Sequence, residues 1–334
     1  MHKAVNLPLH PGKAPRWLLT RMVELSTVIT KYIVDEKGTE EFLKRLSDPN
    51  WFQALGCVLG FDWHSSGLTT TTTGALKEAL KKINQKGNIG LWCAGGKGRN
   101  SIKTPEDIAS FCKNTNLDTE QLIGASKLIA KIDNSCIQDG FSLYHHCFFF
   151  NEQGKYSIVQ QGMGGKWARR YHWFCPPEWF NEQEKVSCDK KIENVLNLVS
   201  TKSKINRENG LIIVRELPEH HMILKKFLKD KEINLLKSLY EIQPEKYEEL
   251  LMFRGFGPKK IRALALTSKI IFGAEADWQD PVKYAFAHGG KDGIPFPVER
   301  GIYDDNISLI KEALEKKNRG NETIHRALIK LGKL

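Results

Sequence analysis

Polar, titratable residues gather at four places in the first half of the sequence, each beside an apolar run. Asp62-Trp63-His64-Ser65-Ser66-Gly67 closes one run, and Ala94-Gly95-Gly96-Lys97-Gly98-Arg99 follows another. His145 and His146 sit inside SLYHHCFFF, with Gln160 and Gln161 on the following segment and Arg169-Arg170-Tyr171-His172 next. Asp62 and His64 alternate about an aromatic residue, so a strand would aim both the same way. There they could ligate a divalent metal (Mg or Mn) or pair as acid and base. The plainer alternative is a capping aspartate beside a hydrogen-bonded histidine. Gly95-Gly96-Lys97-Gly98 has the make-up of a phosphate cradle, in which backbone N–H groups and a lysine meet an anion. It is not a Walker A loop, because Gly98 stands where Ser or Thr is required. A two-metal nuclease would need several converging carboxylates, and only Asp62 and Asp139 are placed to contribute. The set Asp62, His64, Lys97, His146, Arg170 and His172 instead suits a phosphodiester handled with one metal or none. Histidine would move the proton, and Lys or Arg would hold the developing charge. Strand alternation sends His145 and His146 to opposite faces, so one of them at most joins any one site.

The second half carries its own signal. Phe253-Arg254-Gly255-Phe256-Gly257-Pro258-Lys259-Lys260 lies between two helical patterns, the second marked by Ile261, Leu264, Ala265, Ser268, Ile271 and Phe272. Helix, Gly-x-Gly-Pro turn, helix is the layout of a helix-hairpin-helix over about residues 245–273. Glycine lets a backbone approach a phosphate with no Cβ in the way, proline suits the first helical position, and the free amides of a helix start attract an anion. Gly255, Gly257, Lys259 and Lys260 are therefore the expected DNA contacts, with Arg169 from the first half beside them. An ordinary αα-hairpin with a glycine turn is the alternative. The stretch also resembles helix-hairpin-helix base-excision glycosylases, in which a lysine of the turn attacks the sugar and a later aspartate assists. That resemblance would give Lys259 and Asp280 these roles, although Trp278-Gln279-Asp280-Pro281 lacks the usual context of the acid.

The formal net charge of +11 over 334 residues favours a polyanionic partner. It is locally concentrated. Between Ala79 and Pro105 stand Lys81, Lys82, Lys86, Lys97, Arg99 and Lys103 with no carboxylate, and Gln160–Pro177 mixes Lys166, Arg169 and Arg170 with Trp167, Tyr171 and Trp173. Basic and aromatic side chains in alternation suit backbone neutralisation with base stacking; a solvated basic face over core aromatics would read the same. The 7 cysteines form no Cys-x-x-Cys pair, which argues against a disulfide framework and a zinc ribbon. No apolar run is long enough to span a membrane, and MHKAVNLPLHPGKAP has no signal-peptide core, so a cytoplasmic protein is expected.

The elements that must position these residues follow from periodicity. An amphipathic helix is expected over 15–34, a buried strand over 55–63, a second strand over 88–93, and helices from Thr104-Pro105 and over 119–132. SLYHHCFFF, NEQG and KYSIVQQGM predict a β-hairpin. The threonine run Thr69–Thr73 has strand character but could equally enter the helix of Leu76–Ile83. Beyond residue 180 helices are expected over 189–200, 219–229, 232–241, 245–253, 259–272, 305–316 and 322–332. Pro176-Pro177 and the polar segment TKSKINRENG supply breakers. The predicted class is a mixed α/β (α+β) domain over residues 1–185, holding the chemistry, followed by an all-α domain over 186–334.

LPLHPGKAPRWL (7–18), RLSDPNWFQALGCVLGFDWHSSG (45–67), AGGKGRNS (94–101), TPEDI (104–108), IVQQGM (158–163), ARRYHW (168–173) and FRGFGPKKIRALAL (253–266) together resemble domain-of-unknown-function family 763 of archaea and thermophiles. That resemblance covers nearly the whole chain and implies a shared fold and site, without an activity. The residues themselves lead to the expectation of a DNA-binding protein of genome maintenance, foremost a nuclease acting on the phosphodiester backbone. A glycosylase or AP lyase using Lys259 and Asp280, and a non-catalytic accessory protein binding DNA or RNA, are the alternatives.

Overall fold

The structure, a computed structural model, describes residues 7–8, 14–60, 65–175, 185–187 and 192–280. A sheet organises the chain. After β1 (Leu7–Pro8) come four helices, α1 (Arg16–Lys37), α2 (Thr39–Leu46), α3 (Pro49–Val58) and α4 (Ser66–Lys86), then β2 (Leu91–Lys97). Helices α5 (Arg99–Ile102), α6 (Thr104–Cys112) and α7 (Thr119–Lys131) lead through a π-helical turn, Ile132–Cys136, to β3 (Ile137–Gln138). The hairpin β4 (Ser142–Asn151) and β5 (Tyr156–Gly164), then β6 (Trp167–Phe174) and β7 (Lys185–Ser187), complete the sheet. β8 (Leu196–Asn197) pairs with β3, and α8 (Lys204–Arg215), α9 (Leu217–Leu224), α10 (Asp230–Ile242), α11 (Tyr247–Met252) and α12 (Pro258–Phe272) follow. The fold is mixed α/β around an antiparallel sheet of order β2-β4-β5-β6, with β1 and β7 both on the outer edge of β6.

Period-two alternation makes both faces of the sheet apolar, and helices cover both. Leu91, Cys93, Cys147, Phe149 and Val159 pack under α1–α4. Trp92, Ala94, Phe148, Phe150, Ile158 and Trp173 face α6 and α7, and that core continues without a break into Ile213, Leu236, Leu250, Phe256 and Leu264 of the later helices. Helix α7 is the go-between, packing on β4 and also on α11.

Local chemistry explains several element boundaries. Asp118 caps α7 by accepting from the Gln121 amide at 2.9 Å. Ser65 caps α4 through the Gly67 amide, and the threonine run lies inside that helix: Thr73 Oγ1 donates to the Thr69 carbonyl at 2.8 Å. Burial against the sheet outweighs the weak helix propensity of β-branched residues.

Three expectations fail. The apolar run from Leu55 is not a strand; through Val58 it is the end of α3, closed by a turn at Leu59–Gly60. A short apolar run does not by itself separate a buried strand from a buried helix. The helix expected over 189–200 is replaced, where described, by β8 and bends. TKSKINRENG, read as a breaker, opens α8, where Asn206 donates to the carbonyls of Ala265 and Ala274 and Arg207 to those of Leu198 and Ser200. These polar residues tie helix to loop instead of facing water. The helices expected over 305–316 and 322–332 lie outside the described residues.

Candidate functional site

The sheet sorts the residues singled out by sequence onto different faces. Asp62 and His64, the expected metal ligands, lie outside the described residues. Arg170 and His172 point toward α3 and α4 and are sealed there. Arg170 Nε donates to His172 Nε2 at 2.9 Å, and Nη1 and Nη2 reach Thr69 Oγ1 and Gln53 Oε1, each at 3.3 Å. The guanidinium lies 4.8 Å from the Phe52 ring centre, and burial pulls its pKa down to about 9. Since His172 Nε2 accepts from Arg170, Nδ1 carries the proton that is donated to the Leu46 carbonyl at 2.9 Å, and the ring is neutral.

His146 is on the opposite face, toward α7. Its Nδ1 donates to Gln160 Oε1 at 2.7 Å, and Gln160 Nε2 in turn donates to Asp133. Nε2 therefore accepts from Ser126 Oγ at 2.9 Å, and burial lowers the pKa of the ring. The expected catalytic set is thus divided by the sheet itself, with His146 on one side and Arg170 and His172 on the other. Lys97 ends β2 and is exposed, its Nζ 5.9 Å from the Tyr144 ring centre.

Arg169, expected beside DNA, is fully buried. It binds Asp139 through Nη1 at 3.1 Å and Asp280 through both terminal nitrogens, at 3.0 and 2.8 Å. Tyr171 donates to the same Asp139 oxygen at 2.6 Å. Burial raises the Asp139 carboxyl above its ordinary range although Arg169, Tyr171 and the Phe141 amide all favour the charged form. This cluster ties β6 to the β3–β4 loop and to the end of the described chain. Asp280, the assisting acid of the glycosylase alternative, is engaged there with Arg169 and with the Ile192 amide at 2.6 Å. Lys259 is exposed and pairs elsewhere, with Glu232 at 3.1 Å.

Two surface features remain. The first is the elbow between α11 and α12. Gly255 has φ +85°, which favours glycine, and a Cβ there would come within 3.0 Å of Leu235 Cδ2. Phe256 turns fully inward and anchors the elbow in the core. Gly257 is extended (φ −119°, ψ −174°), with nothing within 4 Å of an added Cβ. Pro258 opens α12, and among the described residues no protein group accepts from the amides of Gly255, Gly257 or Lys259. Gly255, Pro258 and Lys259 are exposed, and Lys260 Nζ folds back onto the Gly255 carbonyl at 3.0 Å.

The second is a cavity of about 820 Å³ between α1, α4 and the end of β2, lined by Arg16, Lys77, Gly95, Gly96, Lys97 and Lys103. Gly95 (φ +88°) needs to be glycine for the fold's own reasons: a Cβ would meet the His146 carbonyl at 2.3 Å and Thr104 Oγ1 at 2.5 Å. Asp107 accepts from Lys77 at 2.9 Å and from the Gly95 amide at 3.0 Å. His145 borders this cavity. Thr73 Oγ1 already donates to a carbonyl, so His145 Nε2 donates to Thr73 at 3.0 Å, and Nδ1 is left a bare acceptor without a partner among the described residues. Next to it, Cys147 Sγ lies 3.5 Å from His145 Nε2, and burial pushes the neighbouring Cys93 thiol up.

Sequence reasoning named His145 but chose His146 over it for the site, and it missed Ser126, Lys127 and Lys131. The last two had a readable signal, an i,i+4 lysine pair on a helix that the sequence places correctly. Among the described residues, the one trio of ligand atoms close enough to hold a metal is Glu216, Glu219 and His220, remote in sequence from every residue of the expected set.

Residues 3–298 match the family model described as protein of unknown function (DUF763), and the chain belongs to that family. No curated protein and no solved structure matches it. No helix among the described residues is long and apolar enough to cross a membrane.

Proposed function

We propose that this protein binds the sugar-phosphate backbone of nucleic acid through the elbow Phe253–Lys260, acting as a helix-hairpin-helix. The observation that carries this is that the amides of Gly255, Gly257 and Lys259 meet no acceptor among the described residues, on an elbow where Gly255 and Lys259 are exposed, Gly257 is half-buried and Lys260 stands alongside. Amides aimed outward from a helix start favour an anion, and phosphate contacts of this kind carry no sequence preference. The Lys259–Glu232 pair does not stand in the way. Exposed pairs are worth about 0–1 kcal/mol, so a phosphate can displace the carboxylate. Binding of a labelled duplex, measured against salt, tests the reading. A linear fall of log affinity with log salt, made shallower by Lys259→Ala and Lys260→Ala, is expected; absence of binding at low salt refutes it.

A second reading, cleavage of the bound backbone, is favoured by one observation: Ser126 and His146 open together onto a cavity of about 290 Å³ that also meets Lys127. In this reading Ser126 Oγ attacks phosphorus and passes its proton to His146 Nε2. The leaving oxygen departs with that proton, and water then frees the serine. Ser126→Ala would abolish cleavage while leaving binding intact. Cleavage that persists in Ser126→Ala would exclude this chemistry.

A further inference from the structure

The elbow and the glycine-lined cavity are joined by smaller cavities with shared walls. Beside the elbow lies one of about 490 Å³, bordered by Arg254, Gly255, Lys131 and Lys127. Lys127 and Leu143 also border the Ser126–His146 cavity of about 290 Å³. His145 is common to that cavity and to the basic one of about 820 Å³, and the Lys97–Tyr144 contact spans the same wall. The result is a track along the outer edge of α7, past the start of β4, to the end of β2.

Its charge is mainly basic. Neither of the two cavities nearest the elbow has a carboxylate in its lining, while Arg254, Lys127 and Lys131 line them. At the far end Arg16, Lys97 and Lys103 join Lys77, which is already held by Asp107, and Glu78 is the other carboxylate of that lining. Lys127 and Lys131 stand four residues apart on α7, about 6 Å along the helix. The cavities are of small-ligand size, where one flexible strand fits and a rigid duplex does not. Tyr144 beside Lys97, and Ile102 at 78% exposed on the same rim, offer surfaces for bases.

We infer that this track holds a single strand of nucleic acid leading away from the elbow, with backbone phosphates on Lys127 and Lys131 and a further phosphate in the Gly95–Lys97 cavity. The inference rests on the elbow reading, because the strand starts there. The cavity favours an anion on balance of charge: Arg16, Lys77, Lys97 and Lys103 line it against two carboxylates, of which Asp107 is taken up by Lys77 and the Gly95 amide and Glu78 is exposed.

The test uses the full chain with labelled oligothymidylates of increasing length and a blunt duplex, at fixed low salt. Wild type should gain affinity with strand length well beyond what the elbow alone can contact. The double variant Lys103→Gln/Lys127→Gln, both sites exposed and so harmless to folding, should bind long oligothymidylate at least tenfold more weakly while losing no more than about twofold on duplex, since it reverses no charge beside the elbow. If the double variant stays within twofold of wild type on long strands, the track is wrong, even where Gly257→Ala weakens duplex binding and the elbow stands. If neither probe binds wild type, both ideas fall. If the double variant loses long strands while Gly257→Ala changes nothing on either probe, the elbow reading fails, and with it the inference that the strand starts there.

Discussion

Gly257→Ala separates what the fold needs from what a ligand would need. Gly257 has an extended backbone that any residue adopts, and an added Cβ meets nothing within 4 Å. At the helix N-cap alanine is poorer than glycine, by about 0.5–1 kcal/mol. Against that, alanine restricts the unfolded chain and returns about 0.4–1 kcal/mol. The two nearly cancel, so thermal unfolding should shift by only a few degrees at most. A docked phosphate changes the account, because the methyl group would occupy the space that it approaches. Losing one charge-assisted amide–phosphate bond costs about 1.5–3 kcal/mol, and at about 1.4 kcal/mol per decade that is roughly a tenfold to hundredfold loss of affinity. Fluorescence anisotropy with a labelled duplex, alongside a melting curve, measures both quantities on one sample. Gly255→Ala is the contrasting control: positive φ and the close Leu235 methyl should cost about 1–2 kcal/mol of stability, so its binding loss would be ambiguous. A Gly257→Ala protein that melts and binds like wild type, with an unchanged salt slope, refutes the argument that bare amides meet phosphate here.

Glu232→Gln should strengthen duplex binding a few-fold at low salt, since it frees Lys259 while glutamine still serves the α10 cap; equal or weaker affinity would count against Lys259 as a phosphate contact. Because burial lowers the His146 pKa from 6.5, the unfolded chain binds protons more readily. Stability from this group is fully present above pH 6.5 and is lost as pH falls toward the depressed value, so His146→Gln should flatten that part of a denaturant-midpoint profile. Arg169→Met should destabilise by about 3–5 kcal/mol, leaving Asp139 and Asp280 buried without their cation, and a loss under 1 kcal/mol in urea unfolding would contradict the ion-cluster account.

The sequence made the elbow readable almost to the residue, because turn chemistry is local: Gly255, Gly257 and Pro258 each carry their own conformational preference. The same holds for α6 at Thr104-Pro105 and for the hairpin about NEQG. His145 and His146 were expected on opposite faces, and they are; that both are buried required knowing that helices cover the sheet twice. Arg169 and Arg170 show the limit. Consecutive arginines on a strand read as a basic surface, and nothing local reveals that one meets carboxylates 30 and 111 residues away in sequence. Burial of a charge depends on partners that only the tertiary fold supplies. The misread helix at 189–200 and the missed α8 have the same origin, since Asn206 and Arg207 serve distant carbonyls.

Helix α7 touches β4 on one side and α11 on the other, and Lys131 Nζ reaches to 3.5 Å from the Phe256 carbonyl inside the elbow. A strand grasped at the elbow would therefore be presented to the glycine-lined cavity along one helix packed against both ends of the path. Under that constraint the second contact becomes an intramolecular event with a high effective concentration, and two weak grips multiply into a firm one. Helix α7 would then work as a gauge, rewarding strands long enough to reach from one grip to the other and passing over those that are too short.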